Sequence, residues 1–455
     1  MTFLDKLLYP KTNIHSPPSP GLFPYLREKD GERTRIHLRI DPDQHGILLI
    51  NASRVLHLNP TAAFMARLAL DGAGEPGAVR AITDRYHISR KQAQTDYQKF
   101  NLQLDELIRP DSACPIHDLE LETTAPFSTK PSAPYRMDLA LTYRCNNDCA
   151  HCYNPRPAFH HQPSTSSELS TEEWKLILNR LWEIGIPHII FTGGEPTLRN
   201  DLPELIAYAQ ALGQVTGLNT NARILRDPDY VQQLVNSGLD HVQITLESHD
   251  PAIHDQMVAS KGAWEQTVAG IRNTLVTKLF VMTNTTLLTC NVSSLAGTLD
   301  FLADLGLPTV GLNALIYSGR GAKVGTGLPE SALPPLLELA RAKVQAHNQR
   351  LIWYTPTQYC NFDPVLLELG VKGCTAALYN MCIEPDGNVL PCQSYYQSLG
   401  NLMSDSWDSI WNHKLAVSIR ERKYVPDGCT DCGLLPECGG GCPLTLQNAS
   451  FGGVR

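Results

Sequence analysis

The sequence predicts an α/β protein with a parallel sheet at its centre, a winged-helix-like module before it and a small cysteine-rich domain after it. Three observations carry this. Between residues 135 and 325, short apolar runs alternate with amphipathic stretches, the pattern of a parallel sheet covered by helices. Residues 20–110 read as strands followed by three helices. Of the thirteen cysteines in 455 residues, eight fall between 360 and 442.

This length is enough for two or three domains. A hydrophobic content of 42% and a charged content of 18% are globular values, and no run reaches the length of a membrane span. The start, Met1-Thr-Phe-Leu-Asp-Lys-Leu-Leu-Tyr-Pro10, lacks the long apolar core of a signal peptide, so a cytoplasmic location is expected. In such a chain, clustered cysteines argue for metal rather than disulfides. A net charge of −8 gives no general attraction to nucleic acid, and neither nucleic acid nor membrane is expected as a partner.

In the first module, Gly46–Ile50 and Arg54–Leu58 read as two strands joined by the turn Asn51-Ala-Ser53. Asn59-Pro60 opens a helix over 61–70, with proline at a first-turn position where its missing N–H costs nothing. A short helix is expected near 78–86 and a long one from a Ser89 cap to about Ile108, with Tyr97, Phe100, Leu104 and Ile108 forming its apolar stripe. The order, with Val55-Leu-His-Leu-Asn-Pro-Thr-Ala62 and Leu70-Asp-Gly72, resembles the small peptide chaperone of pyrroloquinoline quinone biosynthesis. That family is also known as the recognition element for ribosomally made, post-translationally modified peptides (RiPPs). The resemblance implies binding of a leader peptide as an extra strand on a sheet edge. A winged helix used for DNA or for docking is the alternative, and the absence of a basic recognition helix disfavours DNA. Residues 111–134 hold four prolines and read as an extended linker, with Cys114 as a spare thiol.

The central strands are expected at Met137–Leu141, His188–Phe191, Gln214–Asn219, His241–Leu246, Phe280–Thr285 and Thr309–Ala314. Helices lie between them, such as 171–184, capped by Ser170 with Glu172 and Glu173 in the first turn. Directly after the first strand comes Cys145-Asn-Asn-Asp-Cys149-Ala-His-Cys152-Tyr153. Three thiolates on one loop can hold three irons of a 4Fe–4S cube and leave the fourth open to a chelating ligand. Zinc would want a fourth Cys or His at tight spacing, and only His151 lies inside the loop. After the second strand comes Phe191-Thr-Gly-Gly-Glu-Pro-Thr197.

With both signatures in this order, the chain resembles the radical SAM superfamily. The resemblance implies an open (β/α)6 partial barrel whose active loops gather at the C-terminal strand ends. It also implies S-adenosylmethionine (SAM) chelating the open iron of the cluster on Cys145, Cys149 and Cys152. Gly193, Gly194, Glu195 and Pro196 are then set against the methionine ammonium, and Tyr153 against the adenine through backbone atoms. Asn219 and Asn221, ending the third strand, and Thr245 and Glu247, ending the fourth, are candidates for ribose or carboxylate contacts. His151 stands where relatives usually carry an aromatic residue and is read as packing or hydrogen bonding. After Ile253-His-Asp255 many relatives carry an arginine for the SAM carboxylate; here Val258 occupies that place, with Lys261 or Arg320 as substitutes. Such cofactor sets cleave SAM reductively to methionine and a 5′-deoxyadenosyl radical that abstracts hydrogen from an unreactive C–H.

The tail reads Cys374-x7-Cys382-x4-Gly387-x4-Cys392, then Cys429-x2-Cys432-x5-Cys438-x3-Cys442, with Gly387 as a hairpin turn. It resembles the SPASM extension of peptide-modifying radical SAM enzymes; two zinc knuckles are the alternative. The resemblance implies one auxiliary 4Fe–4S cluster on Cys374, Cys382, Cys392 and Cys442. Cys429, Cys432 and Cys438 supply three ligands of a second. Relatives usually have a further cysteine after this run, and here none remains. Either Cys360 serves, or that iron is open or takes an oxygen or nitrogen ligand, with Cys360 an ordinary buried thiol. Cys290 is expected in the core.

The leading expectation is a peptide maturase: a leader-bearing precursor peptide is captured, hydrogen is abstracted from it and an oxidative crosslink forms, with a reductant such as ferredoxin or flavodoxin as electron donor. Oxidation or decarboxylation of a small molecule or tetrapyrrole side chain is the second. A non-catalytic iron–sulfur scaffold is the third, and the intact Gly-Gly-Glu-Pro stretch argues against it.

Overall fold

The computed structural model describes residues 18–29, 32–51, 54–108, 131–154 and 168–451 and divides into two compact units, Met1–Ala125 and Pro126–Arg455. In the first, β1 (Gly21–Lys29), β2 (Glu32–Ile40), β3 (Gly46–Ile50) and β4 (Arg54–Leu58) form an antiparallel meander in chain order. Helices α1 (Pro60–Leu70), α2 (Glu75–Tyr86) and α3 (Arg90–Ile108) follow. Ile36, Leu38, Leu48, Ile50, Leu56 and Leu58 share one sheet face and pack with Phe64, Ile82, Tyr97, Phe100 and Leu104 of the helices. Asn59 caps α1, its side chain accepting from the Ala62 N–H at 2.8 Å.

Only β3 and β4 were expected from the sequence. β2 carries a plain period-two signal, Ile36, Leu38 and Ile40 alternating with Arg35, His37 and Arg39. β1 contains Pro24, which speaks against a central strand but suits an edge. The proposed linker and Cys114 fall largely outside the described residues.

In the second unit, parallel strands β5 (Arg136–Thr142), β6 (His188–Gly193), β7 (Val215–Thr220), β8 (His241–Thr245), β9 (Phe280–Leu287) and β10 (Thr309–Ala314) lie side by side in chain order. Between them run α4 (Thr171–Ile184), α5 (Leu202–Leu212), α6 (Pro228–Asn236), α7 (Pro251–Met257), α8 (Ala263–Leu275) and α9 (Leu295–Asp304). This is the open (β/α)6 partial barrel. Strand alternation divides its two faces: Val242 and Ile244 of β8 join the core under the helices, while His241, Gln243 and Thr245 between them are only half-buried.

The sheet continues beyond the six strands. After α10 (Leu333–Ala346), β11 (Arg350–Trp353) adds parallel to β10. On the other side β12 (Asn380–Ile383) adds parallel to β5, and β13 (Val389–Leu390) pairs antiparallel to β12 through the Gly387 turn, where φ is +89°. The cysteine-rich region is therefore built onto the barrel's own sheet. Tyr135 stacks on Tyr379 at 4.7 Å, and Leu169 N–H donates to Pro385 O at 2.7 Å. Among the described residues, no helix is long and apolar enough to cross a membrane.

Helix α4 starts with a complete capping box between Ser170 and Glu173. Ser170→Ala should lower unfolding stability by about 1 kcal/mol in urea titrations; an unchanged midpoint would contradict the assignment.

Candidate active site

The loop after β5 carries Cys145, Cys149 and Cys152, and neighbouring strand ends fasten it. Asn147 N–H donates to Cys145 Sγ at 3.4 Å. Asp148 N–H donates to Val258 O at 2.9 Å, beyond α7, and Gly321 N–H donates to Cys152 O at 3.0 Å, beyond β10. Arg223, beyond β7, donates to Asn146 O, Asn147 Oδ1 (2.9 Å), Ser260 Oγ (2.9 Å) and Gln266 Oε1 (2.7 Å). Arg320 pairs with Asp148.

Burial pushes the Cys145 thiol up to about 12, with the Glu195 charge adding to it, and burial likewise raises Cys149 and Cys152. Such thiols become thiolates only against a strong positive centre. No three His, Cys, Asp or Glu side chains among the described residues converge on a single ion. Each thiolate of a cubane binds a different iron, so the donor set fits an iron–sulfur cluster better than zinc.

The Gly-Gly-Glu-Pro turn at the end of β6 lies directly against this loop. Gly194 N–H donates to Thr142 O at 2.7 Å and Glu195 N–H to Arg144 O at 2.8 Å. A Cβ on Gly193 would stand 2.2 Å from Thr142 O, and one on Gly194 2.3 Å from Arg144 O. The glycines are thus demanded first by the neighbouring backbone. Glu195 is fully buried: Oε1 accepts from Thr197 N–H (3.1 Å), Thr197 Oγ1 (2.6 Å) and Thr220 Oγ1 (2.7 Å), and Oε2 from Asn221 N–H (2.8 Å). Burial raises its carboxyl, and these four bonds pull the other way. Pro196 starts the short turn Pro196–Leu198. Asn154 Nδ2 donates to Gly193 O at 3.1 Å and is itself held by the Tyr396 hydroxyl at 2.7 Å.

The remaining expected residues divide into two groups. Asn221 and Glu247 are brought to the cysteine loop. Asn221 Nδ2 donates to Asn146 Oδ1 at 2.6 Å. Glu247, 1% exposed, meets His151 Nε2 at 3.0 Å and accepts from Thr286 N–H at 2.9 Å. Its own N–H donates to His254 Nδ1 at 3.2 Å, which requires a neutral imidazole nitrogen there; burial lowers that histidine's pKa. Asn219 and Thr245 are half-buried on the strands. Tyr153 is next to the cluster loop's third cysteine, its phenol pKa raised by burial, and its carbonyl would meet a Cβ on Gly319 at 2.2 Å. Of the substitutes for a carboxylate-binding arginine, Lys261 is exposed, and Arg320 is engaged with Asp148 beside Cys152. Val258 is buried and contributes its carbonyl. Arg223 was not anticipated: one arginine just past a strand end carries no motif.

The C-terminal cysteines fall into two sets. Cys382 on β12 pairs with Leu390 of β13 and stands level with Asp138 of β5. Burial raises Cys374, Cys382, Cys392 and Cys442; Cys442 further raises Cys374 and Cys392, the latter to about 12. In the second set, Cys432 N–H donates to Cys429 O at 3.1 Å, and Cys438 Sγ accepts from Tyr359 N–H at 3.3 Å. Cys290 is exposed rather than in the core, because it sits in the turn just after β9.

Comparison with known proteins agrees with this arrangement. Residues 139–302 match the Radical SAM superfamily, and residues 374–433 match SPASM, an iron–sulfur cluster-binding domain. The first implies a 4Fe–4S cluster and SAM, the second auxiliary clusters. The fold is similar to that of SuiB from Streptococcus suis bound to its precursor peptide SuiA, with TM-score 0.68 and 16% identity over 93% of this chain and 96% of that one. It is also similar to SuiB bound to S-adenosylmethionine, with TM-score 0.66 and 18% identity over 90% and 95%. In sequence, the chain is 28% identical over 343 residues to Fe-coproporphyrin III synthase of Methanosarcina barkeri, covering 69% of this chain and 84% of that protein.

Gly194→Ala should abolish SAM binding in anaerobic equilibrium dialysis, since the backbone it would strike has nowhere to move; retained binding would refute the stitched-loop description. Asn221→Ala should lower reductive SAM cleavage by about tenfold or more, as for other supports of metal ligands. The readout is 5′-deoxyadenosine by chromatography.

Proposed function

We propose that this radical SAM enzyme, with its SPASM region, is a maturase of a ribosomally made peptide, which it binds by a leader segment and oxidises within the partial barrel. The observation that carries the reading is the N-terminal unit. The match to SuiB over 93% of the chain cannot be confined to Pro126–Arg455, which is under three quarters of it. A leader-binding role for residues 20–110 fits its four-stranded sheet, whose order leaves β1 and β4 as edges. Pro24 removes one backbone donor from β1, whereas β4 has no proline, which favours β4 for strand addition.

When bound, the cluster and SAM supply the hydrogen-abstracting radical. The chain's own residues hold and shape that site. Cys145, Cys149 and Cys152 carry the cluster; Gly193 to Pro196 set the turn beside it. Tyr153, Asn219, Asn221, Thr245 and Glu247 complete the cofactor's surroundings. Cytoplasmic action with a ferredoxin- or flavodoxin-type donor belongs to the same proposal.

The identity to Fe-coproporphyrin III synthase supports a second reading, oxidation of a tetrapyrrole side chain. The deciding experiment is anaerobic capture by the tagged full-length chain from its host lysate, followed by incubation of any captured peptide with SAM and reductant. A peptide that loses two hydrogens by mass spectrometry, and whose capture falls at least tenfold in Val55→Lys, supports the maturase. No peptide, with turnover of an iron porphyrin's propionates instead, supports the second reading.

A further inference from the structure

We propose that Cys360 is the fourth ligand of the cluster carried by Cys429, Cys432 and Cys438, so that both auxiliary clusters are saturated by cysteine and neither offers an iron to substrate. This rests on the auxiliary-cluster assignment and is independent of whether the substrate is a peptide.

A cube on Cys429, Cys432 and Cys438 has a fourth iron left to ligate. The structure brings one segment to the place. Beyond β11 the chain crosses Cys438: Tyr359 N–H donates to Cys438 Sγ at 3.3 Å, and Cys438 Sγ lies 3.6 Å from Thr357 O. A Cβ on Gly441 would stand 2.8 Å from Gln358 Cγ and 3.4 Å from Gln358 N, so Gly441 is fitted to the same segment. Cys360 then sits inside a tight turn, with Asn361 N–H and Phe362 N–H donating to Gln358 O at 2.9 and 3.3 Å.

The turn places Cys360 one residue from the Tyr359 N–H that holds Cys438 Sγ at 3.3 Å. Cys438 is buried, Cys429 half-buried, and Cys360 and Cys432 exposed, the gradient of a cluster set into the rim of the molecule. An ordinary buried thiol is excluded by that exposure. The other four cysteines of the region are Cys374, Cys382, Cys392 and Cys442. Eight cysteines between 360 and 442 thus make two sets of four.

The test uses the full-length chain, reconstituted anaerobically with SAM present to occupy the open iron of the first cluster. Iron content, Mössbauer and electron paramagnetic resonance spectra are compared for the parent, Cys360→Ala, Cys432→Ala and Cys290→Ala. The expected result is about twelve irons for the parent and Cys290→Ala, at four per cube, with Cys360→Ala falling towards about eight or yielding a three-iron signal, as Cys432→Ala does. Cys360→Ser should retain the cluster with a shifted midpoint potential. A Cys360→Ala protein with parental iron, spectra and potentials would overturn the proposal. Imidazole titration of the parent stands free of any folding defect in the variants. Unchanged auxiliary signals support saturation, and shifted ones reveal an open iron and overturn it.

Discussion

Two backbone hydrogen bonds, from Gly194 to Thr142 and from Glu195 to Arg144, hold the cysteine loop and the Gly-Gly-Glu-Pro turn together. They fix the ends of β5 and β6 so closely that neither glycine has room for a methyl group. The supports around Glu195 build on that contact. Glu195, placed by the second bond, collects donors from Thr197, Thr220 and the Asn221 backbone, and Asn221 reaches back to Asn146 of the cysteine loop. A fully buried carboxyl is costly unless satisfied, and four donors satisfy this one. Glu195 therefore ties three strand ends together, reaching β5 through its N–H and β7 through its carboxyl.

Glu247 repeats the device two strands further on. It is buried, accepts from Thr286 of β9 and meets His151 inside the cysteine loop. His254 and Asn291 hold its backbone from the far side. Two buried carboxyls, each tied to one end of the loop, leave the three thiols little freedom relative to the barrel. Preorganisation of this kind spares a cofactor site from reordering its ligands each time it is filled.

Much of this was legible in the sequence, and the reason differs by element. The six barrel strands were visible because each is a short apolar run between amphipathic helices, and α4 because Ser170 caps it with Glu172 and Glu173 in its first turn. The cysteine triplet and Gly-Gly-Glu-Pro were visible because their chemistry needs fixed residue types at fixed spacing. β1 and β2 were not anticipated, although β2 alternates strictly. Arg223 escaped because its role depends on where α8 and the cysteine loop bring Gln266, Ser260 and Asn146. Cys290 was misjudged because a cysteine's burial depends on the turn it occupies and not on its neighbours in sequence.

The register of β12 on β5 has the widest consequence. One strand, β5, ends in the loop of the first cluster and also lies level with Cys382 through Asp138. From Asp138 to Thr142 the strand advances about 13 Å at about 3.3 Å per residue. The spacing between the radical site and the first auxiliary set is therefore set by a hydrogen-bonded ladder rather than by a linker. A one-residue slip of β12 would turn Cys382 to the opposite face and remove it from Cys374 and Cys392. The Gly387 turn and the Cys382–Leu390 pair guard against that slip. The barrel and its auxiliary region consequently form one mechanical body, in which ligand geometry on one side constrains the other.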